Sequence, residues 1–144
     1  MNATIKAVFS THAGYGITLL RVVTGLTFVA HGSQKLFAWF GGHGLAGTGQ
    51  WMESIGITPG YLMALLAGSA EFFGGLALVI GLLVRPAAAA LIVAMLVAIA
   101  SVHWVNGFFI TANGFEYAMI LGLISAVLLI EGGGKLSLDR QIAN

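Results

Sequence analysis

Four stretches of this sequence, 15–40, 59–83, 86–105 and 115–130, run almost free of charge over lengths at or near a membrane crossing. A transmembrane helix needs about 20 mostly apolar residues. In hydrocarbon every backbone N–H and C=O must be satisfied within the chain, so such stretches become helices. The expectation is an all-α, integral membrane four-helix transmembrane bundle, forming one membrane domain over 1–144. Composition agrees: 8% of residues are charged, against about 25% in soluble domains, and mean hydropathy is +0.97. The first apolar run is too long for the core of a cleavable signal and reads as a retained span.

The boundaries have local causes. Thr58-Pro59 reads as a cap followed by proline at the first helical position, and Arg85-Pro86 as a very short turn. Asn113 with Glu116 has the spacing of a capping box, and Gly132-Gly133-Gly134 is a stop. Lys6, Arg85, Lys135 and Arg140 lie outside the spans on one side, whereas 41–58 and 106–113 hold no Lys or Arg. The positive-inside rule then puts both termini in the cytoplasm of a bacterial cell, in a multi-pass inner (plasma) membrane protein. Trp39, Trp51 and Trp104 fall at the opposite interface, and 49–55 reads as a short interfacial helix. Small residues recur every four positions: Ala90, Ala94 and Ala98; Ala118, Gly122 and Ala126; Ala64 with Gly68; Ala70 with Gly74. Such ridges let helices approach closely in lipid.

Ionisable residues within the spans are the most informative, because a charge at the bilayer centre is disfavoured by about 2.5–3.5 kcal/mol and turns inward to a partner. They are Arg21, His31, Lys35, Glu71, His103 and Glu116, taken together as candidate ligand-binding residues. At 100° per residue Arg21 and Lys35 share a stripe about 40° wide, and Gly68, Glu71 and Gly75 share another. At about 1.5 Å per residue, His31 lies ~12 Å below Trp39 and Glu71 ~15 Å below Tyr61. These matched depths predict a His31–Glu71 pair, with Lys35, His103 and Glu116 around its outer mouth. Arg21, ~27 Å down, reaches Glu71 only by stretching or through helix tilt. His12 and His43 read as solvated.

An imidazole beside a carboxylate exchanges protons near neutral pH, and Phe28, Phe72 and Phe73 add flat apolar surface. That combination suits a quinone. The bland reading is that Arg21, His31 and Glu71 merely hold helices in register. The absence of cysteine excludes disulfides, thiolate metal sites and covalently attached haem, and no metal site is expected. Haem between His31 and His103 is disfavoured by ~10 Å of depth difference. Gly42 to Gly47 fits G-x-G-x-x-G but follows no strand, so a dinucleotide site is refused. A net charge of +1 without a basic stripe excludes nucleic acid.

The ordered set Ala30-His31-Gly32-Ser33-Gln34-Lys35-Leu36-Phe37, Gly41-Gly42-His43-Gly44-Leu45, Glu71-Phe72-Phe73-Gly74-Gly75, Gly81 with Arg85, His103 through Asn106-Gly107-Phe108-Phe109, Gly114-Phe115-Glu116-Tyr117 and Ser137-Leu138-Asp139-Arg140 resembles the DoxX family of small bacterial membrane proteins. The resemblance implies a four-helix inner-membrane protein tied to quinone-linked oxidation, as an oxidoreductase-associated subunit or redox partner. It transfers no catalytic residue set. Partners expected are the bilayer and a soluble or membrane redox subunit. The rival functions are a scaffold docking a soluble redox protein and a small transporter, which would need a homo-oligomer. A transporter is less favoured because no inverted repeat or broken helix is evident.

Overall fold

The structure, a computed structural model, describes residues 2–11 and 14–144; His12 lies outside the described residues. The elements are α1 (Ala3–Phe9), α2 (Tyr15–Phe37), α3 (Gly44–Ser54), α4 (Gly60–Ile80), α5 (Val84–Ala98), α6 (Glu116–Glu131) and α7 (Leu138–Ala143), with no strand among the described residues. α5 continues through a π-turn at Ile99–His103 and a 3₁₀ turn at Trp104–Asn106. Two helical segments, Gly60–Ile80 and Val84–Asn106, are long and apolar enough to cross a membrane.

α2 packs on α4 and α5 on α6, and α4–α5 and α2–α6 contacts join the two pairs. The α2–α4 contact is built on glycine. A Cβ at Gly25 would lie 2.7 Å from the Gly75 carbonyl, and one at Gly75 would lie 2.7 Å from that of Gly25. A Cβ at Gly32 would collide with the Phe72 backbone. In lipid, packing replaces the hydrophobic drive between helices, so close backbone approach is what holds such a pair. The α5–α6 pair uses larger side chains: Val84, Ala88, Leu91 and Met95 against Ala118, Leu121, Ser125 and Leu128, all buried. The alanine ridge at 90, 94 and 98 is therefore not the helix–helix seam. It leaves open space instead.

One end of the molecule is locked by polar groups that bond to backbone. Arg21, 1% exposed, donates from Nε to Gly133 O (2.8 Å), from Nη2 to Leu136 O (2.7 Å), and from Nη1 to the carbonyls of Val79 (3.0 Å) and Leu78. It thus satisfies carbonyls left open at the C-terminus of α4 and ties the 132–137 turn to it. Asp139 accepts from the N–H groups of Leu83 (2.7 Å) and Val84 (2.9 Å), capping the start of α5. Burial pushes the Asp139 carboxyl up from its ordinary value, against the pull of those two donors and of Arg21 and Arg85. Arg85 reaches Ser10 O and Leu129 O. α1 and α7 also meet at this end.

Three expected boundaries differ. α3 begins at Gly44, earlier than the 49–55 segment expected. No capping box forms at Asn113: α6 is capped at Phe115, and Asn113 is left-handed at the close of a 3₁₀ turn. Thr58 does not cap α4: Pro59 is itself the cap, Gly60 is the first helical residue, and the Glu53 carboxylate accepts from Gly60 N–H (3.2 Å).

Candidate functional site

At the end opposite the Arg21 lock, the four long helices line a half-open cavity of about 720 Å³. α2 contributes Phe28, His31 and Lys35, and α4 contributes Glu71. The cavity wall of α5 is the Ala90, Ala94, Ala98 ridge, whose short side chains create the void. α6 supplies Tyr117, and α3 supplies Trp51 and Met52 as a cover. The volume falls within the roughly 300–1,000 Å³ of small-molecule sites, and the apolar wall with few polar groups is their usual make-up.

The expected His31–Glu71 pair is corrected. Glu71 pairs with Lys35, Nζ to Oε2 at 2.6 Å, with side chains 25% and 7% exposed respectively. The reason is directional. Side chains tilt toward the N-terminus of their own helix. α2 runs up toward the covered end and α4 runs down from it, so Lys35 leans inward and Glu71 leans outward. Depths taken at Cα positions miss this by about one turn. His31, one turn below Lys35, instead has the Tyr117 ring at 6.0 Å between centroids; it still lines the same cavity as Glu71.

His103 reaches the cavity through the π-turn. On a regular α-helix it would point about 140° from Ala98, the last residue of the cavity-lining ridge. The π-turn takes an extra residue, and Ser101, Val102 and His103 all line the wall. Nδ1 of His103 lies 2.9 Å from Asn113 O, which also accepts from the Asn106 side chain at 3.2 Å. Glu116 is not in the cavity lining. Its Oε1 accepts from Ile110 N–H at 2.9 Å and so pins the 107–115 loop, whose Ile110 and Asn113 edge the cavity. Arg21 is also outside it, a correction that follows from its use as the α4 cap at the far end.

Lys35 and Trp51 face two spaces. A smaller cavity of about 340 Å³, lined also by Gln34, His43 and Thr48, lies on their other side. His43 is exposed there. Among the described residues no group of three or more His, Cys, Asp or Glu is placed to hold a metal. Sequence reasoning missed Tyr117, Ser101 and Asn113 at the site. Tyr117, one residue past Glu116 at the start of a span, could have been flagged; the π-turn has no signal in the sequence that we recognise.

A family model described as DoxX matches residues 16–104. The "Putative oxidoreductase CatD" of Bacillus subtilis is 33% identical over 124 residues, covering 86% of this chain and 84% of its own. The "Uncharacterized membrane protein Rv3486" of Mycobacterium tuberculosis is 33% identical over 139 residues, covering 88% and 81%. The "Inner membrane protein YqjF" of Escherichia coli is 31% identical over 129 residues, covering 88% and 92%. No solved structure matches the chain significantly.

Proposed function

Because this chain belongs to the DoxX family of membrane proteins, we propose that it is a quinone-binding membrane component of an oxidoreductase system. The observation that carries the reading is the cavity. It gathers an ammonium–carboxylate pair and two histidines, from α2, α4 and the end of α5, inside a mostly apolar wall. Apolar rings and a prenyl tail suit such a wall. Quinone chemistry also moves protons, and Glu71, Lys35, His31 and His103 are groups able to exchange them. The oxidoreductase name of the Bacillus subtilis relative points the same way.

In this proposal α2, α4, α5 and α6 are four transmembrane helices of a multi-pass plasma-membrane protein. Arg85, Lys135 and Arg140 lie at the end that holds the Arg21 lock, while 41–58 and 106–113 have no Lys or Arg. That asymmetry supports cytoplasmic termini and a cavity in the outer half of the bilayer. Leu66, Val93 and Val97, exposed between α4 and α5 beside the cavity, frame a side entrance for a ligand arriving from lipid. Electrons would pass to or from a partner subunit.

Purification in mild detergent followed by solvent extraction tests this. The expected result is co-purifying menaquinone or ubiquinone, reduced in Glu71→Ala and His31→Ala proteins of normal yield. A ligand-free preparation that also fails to bind analogues of either quinone would refute the reading.

A further inference from the structure

His103 Nδ1 faces the backbone carbonyl of Asn113 at 2.9 Å. A carbonyl only accepts, so Nδ1 carries the proton and the neutral ring presents Nε2 as a bare acceptor. Nε2 makes no hydrogen bond with any described residue. The same holds across the cavity for Oε1 of Glu71, whose other oxygen takes the Lys35 ammonium. Among the described residues no sealed-in side-chain polar atom lacks a partner, so both atoms face open space, and both residues line the cavity. The ammonium in this wall spends one of its three N–H groups on the carboxylate, at 2.6 Å, and neither its other two nor the Tyr117 hydroxyl in the same lining alters the two free acceptors. The polar edges left for a ligand therefore include two acceptors.

An oxidised quinone brings only carbonyl acceptors, which cannot bond Nε2 of His103 or Oε1 of Glu71, whereas its reduced form brings two O–H donors that can. Resting on the quinone-site reading above, we infer that the cavity is built for the hydroxylated form, an aromatic diol, and that one hydroxyl donates to His103 Nε2. His103 is then the specificity-determining residue, and the π-turn that aims it is the feature that sets the preference. The Glu71 Oε1 atom receives the ligand's second donor. An acceptor facing an analogue that cannot donate loses about 1–3 kcal/mol, a range that includes the 1.4 kcal/mol of a tenfold change in affinity.

The test is anaerobic isothermal titration calorimetry of the full chain in mild detergent at pH 8 with three probes: 1,4-dihydroxynaphthalene, its dimethyl ether, and 1,4-naphthoquinone. The expected result is binding of the diol at least about tenfold tighter than either of the others. In His103→Phe, which keeps a ring in the wall, that preference should collapse to within about threefold. Equal binding of diol and ether to the wild-type protein would overturn the inference and leave the quinone site standing. A preference that survives in His103→Phe would overturn the assignment to His103. If none of the three binds, the quinone-site reading falls, and this inference with it. The wild-type comparison needs no variant, so a poorly folding His103→Phe does not remove the test.

Discussion

Removing Lys35 alone from the Lys35–Glu71 pair should harm the protein more than removing both charges. The pair is short, 2.6 Å, and unequally buried: the Glu71 side chain is 7% exposed and that of Lys35 is 25%. Lys35→Met strands a carboxylate between α2 and α4, where water reaches it poorly. Breaking a buried pair in this way typically destabilises by about 3–5 kcal/mol. Glu71→Gln leaves an ammonium instead, but Lys35 also lines the smaller cavity beside exposed His43, so it can turn toward water on a flexible stem. The loss there should be nearer 1–2 kcal/mol. With both changes no charge remains to strand, and the double variant should lie close to Glu71→Gln alone. Thermal unfolding in a mild detergent reads the cycle, at roughly 3 °C per kcal/mol for a chain of this length. Lys35→Met should therefore fall by about 10 °C and the double variant by about 5 °C. If the two single losses simply add, within about 0.5 kcal/mol, the two groups do not depend on each other and the argument for a mutual buried pair fails.

Three further outcomes are expected. Arg21→Met leaves four carbonyls without their donor and should destabilise by about 3 kcal/mol or more, while quinone-analogue affinity per folded molecule stays unchanged, because Arg21 is remote from the cavity; a selective loss of binding would place Arg21 in the site. Gly75→Ala puts a methyl 2.7 Å from the Gly25 carbonyl and should lower stability by about 1–3 kcal/mol through separation of α2 and α4, measurable by the same melts; an unchanged midpoint would mean that the helices do not meet there. For Asp139, burial holds the folded carboxyl above its ordinary value. The folded state thus keeps that proton more tightly than the unfolded chain, and the group's contribution is fullest at low pH and is lost as pH rises from about 4 through the raised value. Asp139→Asn should flatten that part of the stability–pH curve; an unaltered slope would contradict the sign.

Much of the candidate site's lining was legible in the sequence because intramembrane charge is costly. His31, Lys35, Glu71 and His103 stand out on that ground alone, and all four line one cavity. Their pairing was not legible. It depends on which way α2 and α4 lean their side chains past each other, and a depth count along one helix carries no such information. Arg21 was just as conspicuous in the sequence, yet its partners are carbonyls of 78, 79, 133 and 136. Backbone acceptors have no residue type, so nothing in the composition marks them. Glu116 looked like a cap or a site residue and instead holds Ile110 N–H across its own loop.

The sequence by itself determined that this chain is helical and belongs in a membrane, and which few side chains hydrocarbon would force inward. That follows from local composition, since unsatisfied backbone and bare charge are penalised wherever they occur. Only the tertiary structure decided that glycines 25, 32 and 75 draw α2 and α4 together, that an alanine ridge becomes empty space, and that a π-turn swings His103 toward it. Those outcomes depend on what lies opposite each residue, and a linear chain does not carry that information until its helices have met.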